Sequence, residues 1–279
     1  MKIRLVSFDL LHTLITPRYP IHVQYARVFE PYLGPLNPDD VQHSFRIVLS
    51  ALKQLRDEKP FYDKDASSWW SEVIRRTALG AGAEPKVLEN SLSLITPRLI
   101  KAFSSKEGYK AFDDSLPTLR ALHHDLDVKT AAVSNGDSRI LSVLKDLDFP
   151  AYLNPIILSE AEGVEKPSPK IFDLVLQRVN VDRETPITPA EWVHVGDDLM
   201  CDYFGAHNAG LHALLLDRPG AENQRDAGVE VDPADVVNDM NEVLEWYNDN
   251  VYARASTRIC GTCDGPPPIQ VVFGSLYVQ

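Results

Sequence analysis

Asp9 closes a short apolar run, Ile3 to Phe8, and a carboxylate delivered at a strand tip is a candidate nucleophile or metal ligand. Other polar groups follow apolar runs in the same way. Ser134-Asn135 ends the run from Val128, and Asp197-Asp198 follows Trp192 to Gly196, with Asp202 four residues later. Lys166, in Glu165-Lys166-Pro167, precedes a helical pattern. A carboxylate can attack a phosphoryl group and divide one hard displacement into two easier ones. Mg²⁺ prefers an octahedral oxygen shell built from one or two carboxylates, substrate phosphate and water. Asp9 and Asp197 would supply those carboxylates, with Asp198 and Asp202 as alternative or outer contributors. Lys166 would offset the charge of a bound phosphoryl group, and the proline after it biases it toward an extended backbone. Ser134 could donate to a phosphoryl oxygen, Asn135 stands beside it, and Thr13 could hold the substrate or its own loop. Each residue also has an ordinary structural explanation, as a helix cap, a turn former or a surface charge. Their shared placement at strand ends favours chemistry.

The elements that must position these residues fall into two patterns. From about Asp113 onward helices and strands alternate: helices over Leu116–His124, Ser138–Leu147, Lys170–Val179 and Met200–Ala209, strands over Val128–Ser134, Pro155–Leu158, Trp192–Gly196 and His212–Leu216. Such alternation predicts an α/β fold with a mostly parallel, Rossmann-like sheet flanked by helices, ligands sitting at the carboxyl ends of the strands. Between Pro17 and Gly108 no strand is evident, and three-to-four spacing predicts helices near Ile21–Tyr32, Pro38–Glu58, Ser67–Leu79 and Pro85–Phe103. Asn37-Pro38-Asp39-Asp40 is a strong helix start. The expected organisation is therefore a core from residues 1–16 and 108–250, a small all-helical cap from 17–107 inserted after the first strand, and an irregular tail from 251–279. A last helix is expected over Pro233–Asn248. In the cap, Trp69 and Trp70 cannot share one spot on a helix face, so at least one is expected in the core; Tyr25, Arg75 and Arg76 could line a substrate entrance, but packing and solvated charge are the favoured explanation.

Composition narrows the partners. Lys and Arg total 28 against 40 Asp and Glu, a formal charge of −12, which repels nucleic-acid backbones and anionic membranes. No segment approaches the ~20 apolar residues needed to span a bilayer, and Asp9 interrupts the first apolar run before a signal-peptide core could form. The expectation is an intracellular protein, cytoplasmic or nuclear. Three cysteines agree with a reducing compartment, and the Cys260–Cys263 pair has no further ligands nearby to make a zinc site.

Four pieces of the chain, in order, resemble the four motifs of the haloacid dehalogenase (HAD) superfamily of hydrolases. They are Phe8-Asp9-Leu10-Leu11-His12-Thr13-Leu14, Val133-Ser134-Asn135, Glu165-Lys166-Pro167, and Val195-Gly196-Asp197-Asp198-Leu199-Met200-Cys201-Asp202. Ser68-Trp69-Trp70 and the run from Lys166 to Phe172 are similar to one branch of that superfamily, with fungal members. The resemblance implies a Mg²⁺-dependent hydrolase, of phosphatase type, acting on a small phosphorylated metabolite through an aspartyl-phosphate at Asp9. It also implies that the Leu11 backbone carbonyl is a metal ligand. One departure matters: such phosphatases carry a second Asp, the general acid and base, at the position of Leu11, and leucine transfers no proton. Losing such a group costs on the order of 10²–10⁴ in rate. This opens two rivals: a non-catalytic protein binding a phospho-ligand or partner, and a metal-independent 2-haloacid dehalogenase. Ser134-Asn135-Gly136 resembles the dehalogenase motif, but Phe172 stands where those enzymes carry a tyrosine, and Asp197-Asp198 would crowd Asp9 in a metal-free site.

Overall fold

The computed structural model describes residues 2–58, 66–219 and 230–256. Six parallel strands form the main sheet: β1 (Leu5–Phe8), β4 (Lys129–Ser134), β5 (Leu153–Leu158), β6 (Trp192–Gly196), β7 (His212–Leu216) and β8 (Val236–Val237). Their order is β5-β4-β1-β6-β7-β8, so β1 lies between β4 and β6 and the chain reverses direction of winding beside it. Near-continuous Val, Leu, Ile and Ala runs make these strands, as burial on both faces requires. Side chains alternate between two cores. Val6 and Phe8 join Leu119, Val143 and Val243 on one face, and Leu5 joins Ile171, Phe172 and Val175 on the other. The covering helices are α5 (Ser115–Arg120), α6 (Arg139–Asp146) and α10 (Met240–Ser256) on the first face, and α8 (Pro169–Val179) with α9 (Gly205–Asn208) on the second, while a single-turn helix, α7 (Ser159–Glu162), follows β5.

Between the first two crossings stand four helices, α1 (Ile21–Leu33), α2 (Pro38–Glu58), α3 (Ala66–Gly80) and α4 (Pro85–Ala102). Asn37 Oδ1 accepts from the Asp39 amide at 3.0 Å, which caps α2. The helices bury their own core around Tyr25, Phe29, Ile74, Leu88, Ile95 and Leu99. Full burial of each such side chain contributes about 1.5–3 kcal/mol, enough for the insert to hold its own packing.

The structure corrects the sequence expectation in three places. A short antiparallel ribbon, β2 (Ile15–Pro17) with β3 (Tyr109–Ala111), ties together the two chain segments that leave and rejoin the sheet. Three-residue strands carry too few residues for a period-two pattern to show. The expected Pro233–Asn248 helix is a 3₁₀ turn at Pro233–Asp235, then β8, then α10 from Met240 to Ser256. Val236 and Val237 are claimed by the parallel edge of β7. The expected Met200–Ala209 helix opens as a wide turn over Leu199–Phe204 before α9. The Cys260–Cys263 pair and the prolines at 266–268 lie outside the described residues. Among the described residues no helix is long and apolar enough to cross a membrane.

Candidate active site

The carboxyl ends of β1, β4 and β6 bring Asp9, Ser134 and Asp197 to one edge of the sheet, and the turn after β6 folds Asp202 beneath them. Carboxylate oxygens of Asp9, Asp197 and Asp202 all lie within 4.8 Å of one another. Lys166 enters this acidic cluster with its side chain buried. Its Nζ donates to Asp9 Oδ1 at 2.6 Å, Asp202 Oδ1 at 2.6 Å and the Val133 carbonyl at 2.8 Å. Three donors meet three acceptors, so the ammonium is fully satisfied. Burial alone would lower its pKa, but Asp202 and Asp9 hold it well above the usual lysine value.

One cation does not balance three carboxylates. Burial and the nearby Asp202 push Asp9 up to about 6, against the opposing pull of Lys166. Burial, Asp9 and Asp202 push Asp197 up to about 8. Asp202 goes the other way: burial would raise it, yet Lys166 and His194 hold it well below the usual carboxylate range. The site thus resists full ionisation of Asp9 and Asp197 unless more positive charge arrives.

This gives a pH dependence with a definite sign. Asp197 has a folded value near 8 against an ordinary 3.8, so the folded state holds the extra proton at pH 7. That stability is present at lower pH and is lost as pH rises through 8. Between pH 7 and 8.5 the metal-free protein is expected to lose about 1 kcal/mol, at 1.36 kcal/mol per unit of pKa. Below pH 6.5 the buried His194, whose pKa is lowered by desolvation, works in the opposite direction. Thermal melts across pH 7–8.5 in chelator check this; a melting temperature that climbs over that range would contradict it.

Glycine and polar strand residues shape the cluster. A Cβ at Gly196 would collide with the Asp202 carboxylate, so only glycine lets Asp202 pack against the end of β6. The Asp198 amide donates to Asp202 Oδ2 at 3.0 Å. His194 Nε2 stands 3.1 Å from Asp202 Oδ1, and its Nδ1 stands 2.7 Å from Ser7 Oγ. Trp192 Nε1–H donates to the same Oγ at 2.8 Å. The hydroxyl proton is therefore directed at Nδ1, which leaves the imidazole proton on Nε2 facing Asp202. Ser7 and His194 were not anticipated. Their signal was present: two polar residues inside apolar strands, which the register makes direct neighbours.

Three expected site residues are engaged by neighbouring protein groups. Asp198 is not in the carboxylate cluster; its Oδ1 caps the following turn, accepting from Met200 and Cys201 amides at 2.9 and 2.7 Å. Asn135, expected at the substrate, lines the space above the sheet edge and clasps the Lys166 backbone. Its Oδ1 accepts from the Lys166 amide at 2.8 Å, and its Nδ2 donates to the Lys166 carbonyl at 2.9 Å. Thr13, also expected at the substrate, is buried and donates to Asp197 Oδ1 at 3.1 Å, while its carbonyl accepts from Arg218. Both residues position the cluster. Ser134 is buried at the tip of β4, and Leu11 is half-buried in the turn after β1. His12 adopts a left-handed backbone, φ 65°, and is exposed.

Above this edge the helical insert closes a cavity of about 270 Å³ over Leu11, Ser134 and Asn135. Tyr25 and Trp70 line it, whereas Arg75 is engaged by Glu72 and Glu89, and Arg76 by Glu72. The aromatic residues of the insert thus contribute to the site more than the sequence suggested. Phe172 is buried against the rings of Trp192 and His194 and does not reach the cluster.

A first strand ending in a carboxylate, a buried lysine and an acidic turn after a central strand stand, under a helical insert, within a chain that matches one family along residues 3–210: haloacid dehalogenase-like hydrolase. The chain belongs to that family. The haloacid dehalogenase-like hydrolase domain-containing protein 3 of Danio rerio is 28% identical over 247 residues, covering 87% of this chain and 96% of the relative. An uncharacterised hydrolase of Schizosaccharomyces pombe is 27% identical over 220 residues, 77% of this chain and 91% of that one. Among solved structures, a HAD hydrolase from Bacillus subtilis bound to magnesium superposes with a TM-score of 0.65 at 18% identity. It covers 89% of this chain and 100% of its own, a likeness that concerns the fold. The family match takes in β1, the helical insert, β4, β5 and β6 and stops just before β7.

Proposed function

We propose that this HAD hydrolase is a Mg²⁺-dependent phosphatase acting on a small phosphorylated molecule, with Asp9 as nucleophile. The supporting observation is the cluster of Asp9, Asp197 and Asp202 around a single lysine, with oxygens within 4.8 Å. This donor set fits Mg²⁺: hard carboxylate oxygens, close enough for a small cation after slight adjustment, and short of positive charge. Asp9 and Asp197 would hold the ion, with the Leu11 carbonyl as a further oxygen, because both Asp202 oxygens already accept hydrogen bonds. The bound cation would supply charge compensation for an incoming phosphoryl group. That the Bacillus subtilis relative was solved with magnesium is consistent with this reading.

The protein's own groups then divide the work. Lys166 fixes Asp9 through Oδ1, which leaves the other oxygen to attack phosphorus. Ser134, at the tip of β4, would donate to a phosphoryl oxygen. Asp202, braced by His194 and Ser7, keeps Lys166 charged and in place. Thr13 orients Asp197. Water then attacks phosphorus and frees Asp9. The net charge of −12 argues for a small-molecule substrate rather than nucleic acid.

Leu11 motivates a second reading, a HAD protein that binds a phosphorylated ligand without turnover. Purified protein assayed on a panel of aryl and metabolite phosphates, with Mg²⁺ and with chelator, separates the two. Phosphate release that disappears with chelator is the expected outcome. Binding without release, together with strong gain of activity in Leu11→Asp, would favour the second reading. Halide release from a 2-haloacid in chelator would displace both.

A further inference from the structure

The cavity between insert and core has an unusual lining for a site that handles phosphate esters. Its walls include Tyr25, Phe45 and Trp70 from the insert and Leu11 from the core. Two charged side chains line it, and they neutralise each other. Arg139 grips Asp137 with two hydrogen bonds, at 2.8 and 2.7 Å. Trp70 Nε1 donates to the same carboxylate at 3.0 Å, and the guanidinium lies 4.2 Å from the Trp70 ring centroid. Asn135 also lines the cavity, but its amide is engaged by the Lys166 backbone. That leaves the hydroxyls of Ser134, Tyr25 and Tyr109 as polar contacts for a ligand. A sugar or nucleotide brings several hydroxyls or a second charge. Each hydroxyl buried there without a partner would lower affinity by about tenfold or more.

The chemistry of the leaving group points the same way. An alkoxide must be protonated as it departs, and Leu11, which lines the cavity, has no proton to give. A phenolic oxygen, with a pKa of about 10 as in tyrosine, departs as the anion unaided.

Resting on the phosphatase reading above, we propose that the substrates are monophosphate esters of compact phenols. Asp9 bonds to phosphorus as the P–O(aryl) bond breaks, and the electron pair leaves with the aryl oxide. Water then adds to phosphorus, the P–O bond to Asp9 breaks, and the proton released from water passes to solvent or to the aryl oxide. The aromatic walls hold the ring, and the volume of about 270 Å³ admits a small ring system and little more.

Three esters on the wild-type protein with Mg²⁺ test this: phenyl phosphate, benzyl phosphate and glucose 6-phosphate. In kcat/KM, phenyl phosphate is expected to exceed benzyl phosphate by about 10²-fold, the leaving-group effect, and benzyl phosphate to exceed glucose 6-phosphate by at least about tenfold, the cavity effect. Glucose 6-phosphate turning over as fast as phenyl phosphate would overturn the proposal while upholding a phosphatase. Equal rates for phenyl and benzyl phosphate would overturn its leaving-group half. If none is hydrolysed, the phosphatase reading itself fails. Calorimetric titration then decides the cavity alone: phenylphosphonate binding without glucose 6-phosphate binding supports aromatic selectivity, and no binding of either overturns it.

Discussion

Asp9→Asn is expected to lower kcat by about 10⁴-fold or more while leaving the fold and melting temperature nearly unchanged, as loss of a nucleophile does elsewhere. Asparagine is isosteric, and its oxygen can still accept from Lys166, whose Nζ lies 2.6 Å from Asp9 Oδ1. It also removes a carboxylate whose pKa burial has pushed up to about 6, so the metal-free variant should be no less stable than the parent. Steady-state assays with Mg²⁺, paired with thermal melts, check both halves. Activity within tenfold of the parent would mean that another group attacks phosphorus, or that water attacks directly.

The second large effect concerns Lys166, and here stability and activity should fall together. Its ammonium joins Asp9, Asp202 and the Val133 carbonyl in a buried setting. Lys166→Met keeps the approximate volume but strands Asp202, a carboxylate held ionised by Lys166 and His194. Removing one partner of a buried pair costs roughly 3–5 kcal/mol. For a domain of this size that corresponds to a fall in melting temperature of roughly 6–20 °C. Lys166→Arg should rescue little, because a planar fork cannot point at three acceptors arranged around one nitrogen. Differential scanning calorimetry in chelator measures this directly. A melting temperature within 2 °C or so of the parent would show that Asp202 is not held by this pair.

Much of the active edge was legible in the sequence because strand ends are legible. Apolar runs stopping at Asp9, Ser134 and Asp197 marked both the sheet and the point where its polar tips converge. Which residue does what at that edge was less visible. Asp198 and Asp202 are the same residue type, four positions apart; the turn geometry after β6 sends one to cap amides and the other onto Lys166. Asn135 and Thr13 have side chains able to bind substrate or backbone, and only the tertiary structure shows them holding Lys166 and Asp197. Ser7 and His194 carried a readable signal, polar residues in buried strands, but their pairing depends on register between strands almost 190 residues apart in sequence. The aromatic cavity was hidden for a similar reason: Tyr25 and Trp70 fit helix-core patterns equally well until insert and core are brought together.

The most direct test of the central claim is acid quenching during turnover of an aryl phosphate with Mg²⁺, followed by mass spectrometry of the proteolysed protein. With Asp9 as nucleophile and no acid–base group at Leu11 to speed the second step, the phosphoryl group should be found on the peptide containing Asp9. It should be absent from the Asp9→Asn variant. Steady phosphate release with no phosphorylated Asp9 peptide, or a phosphoryl group on any other residue, would contradict the account.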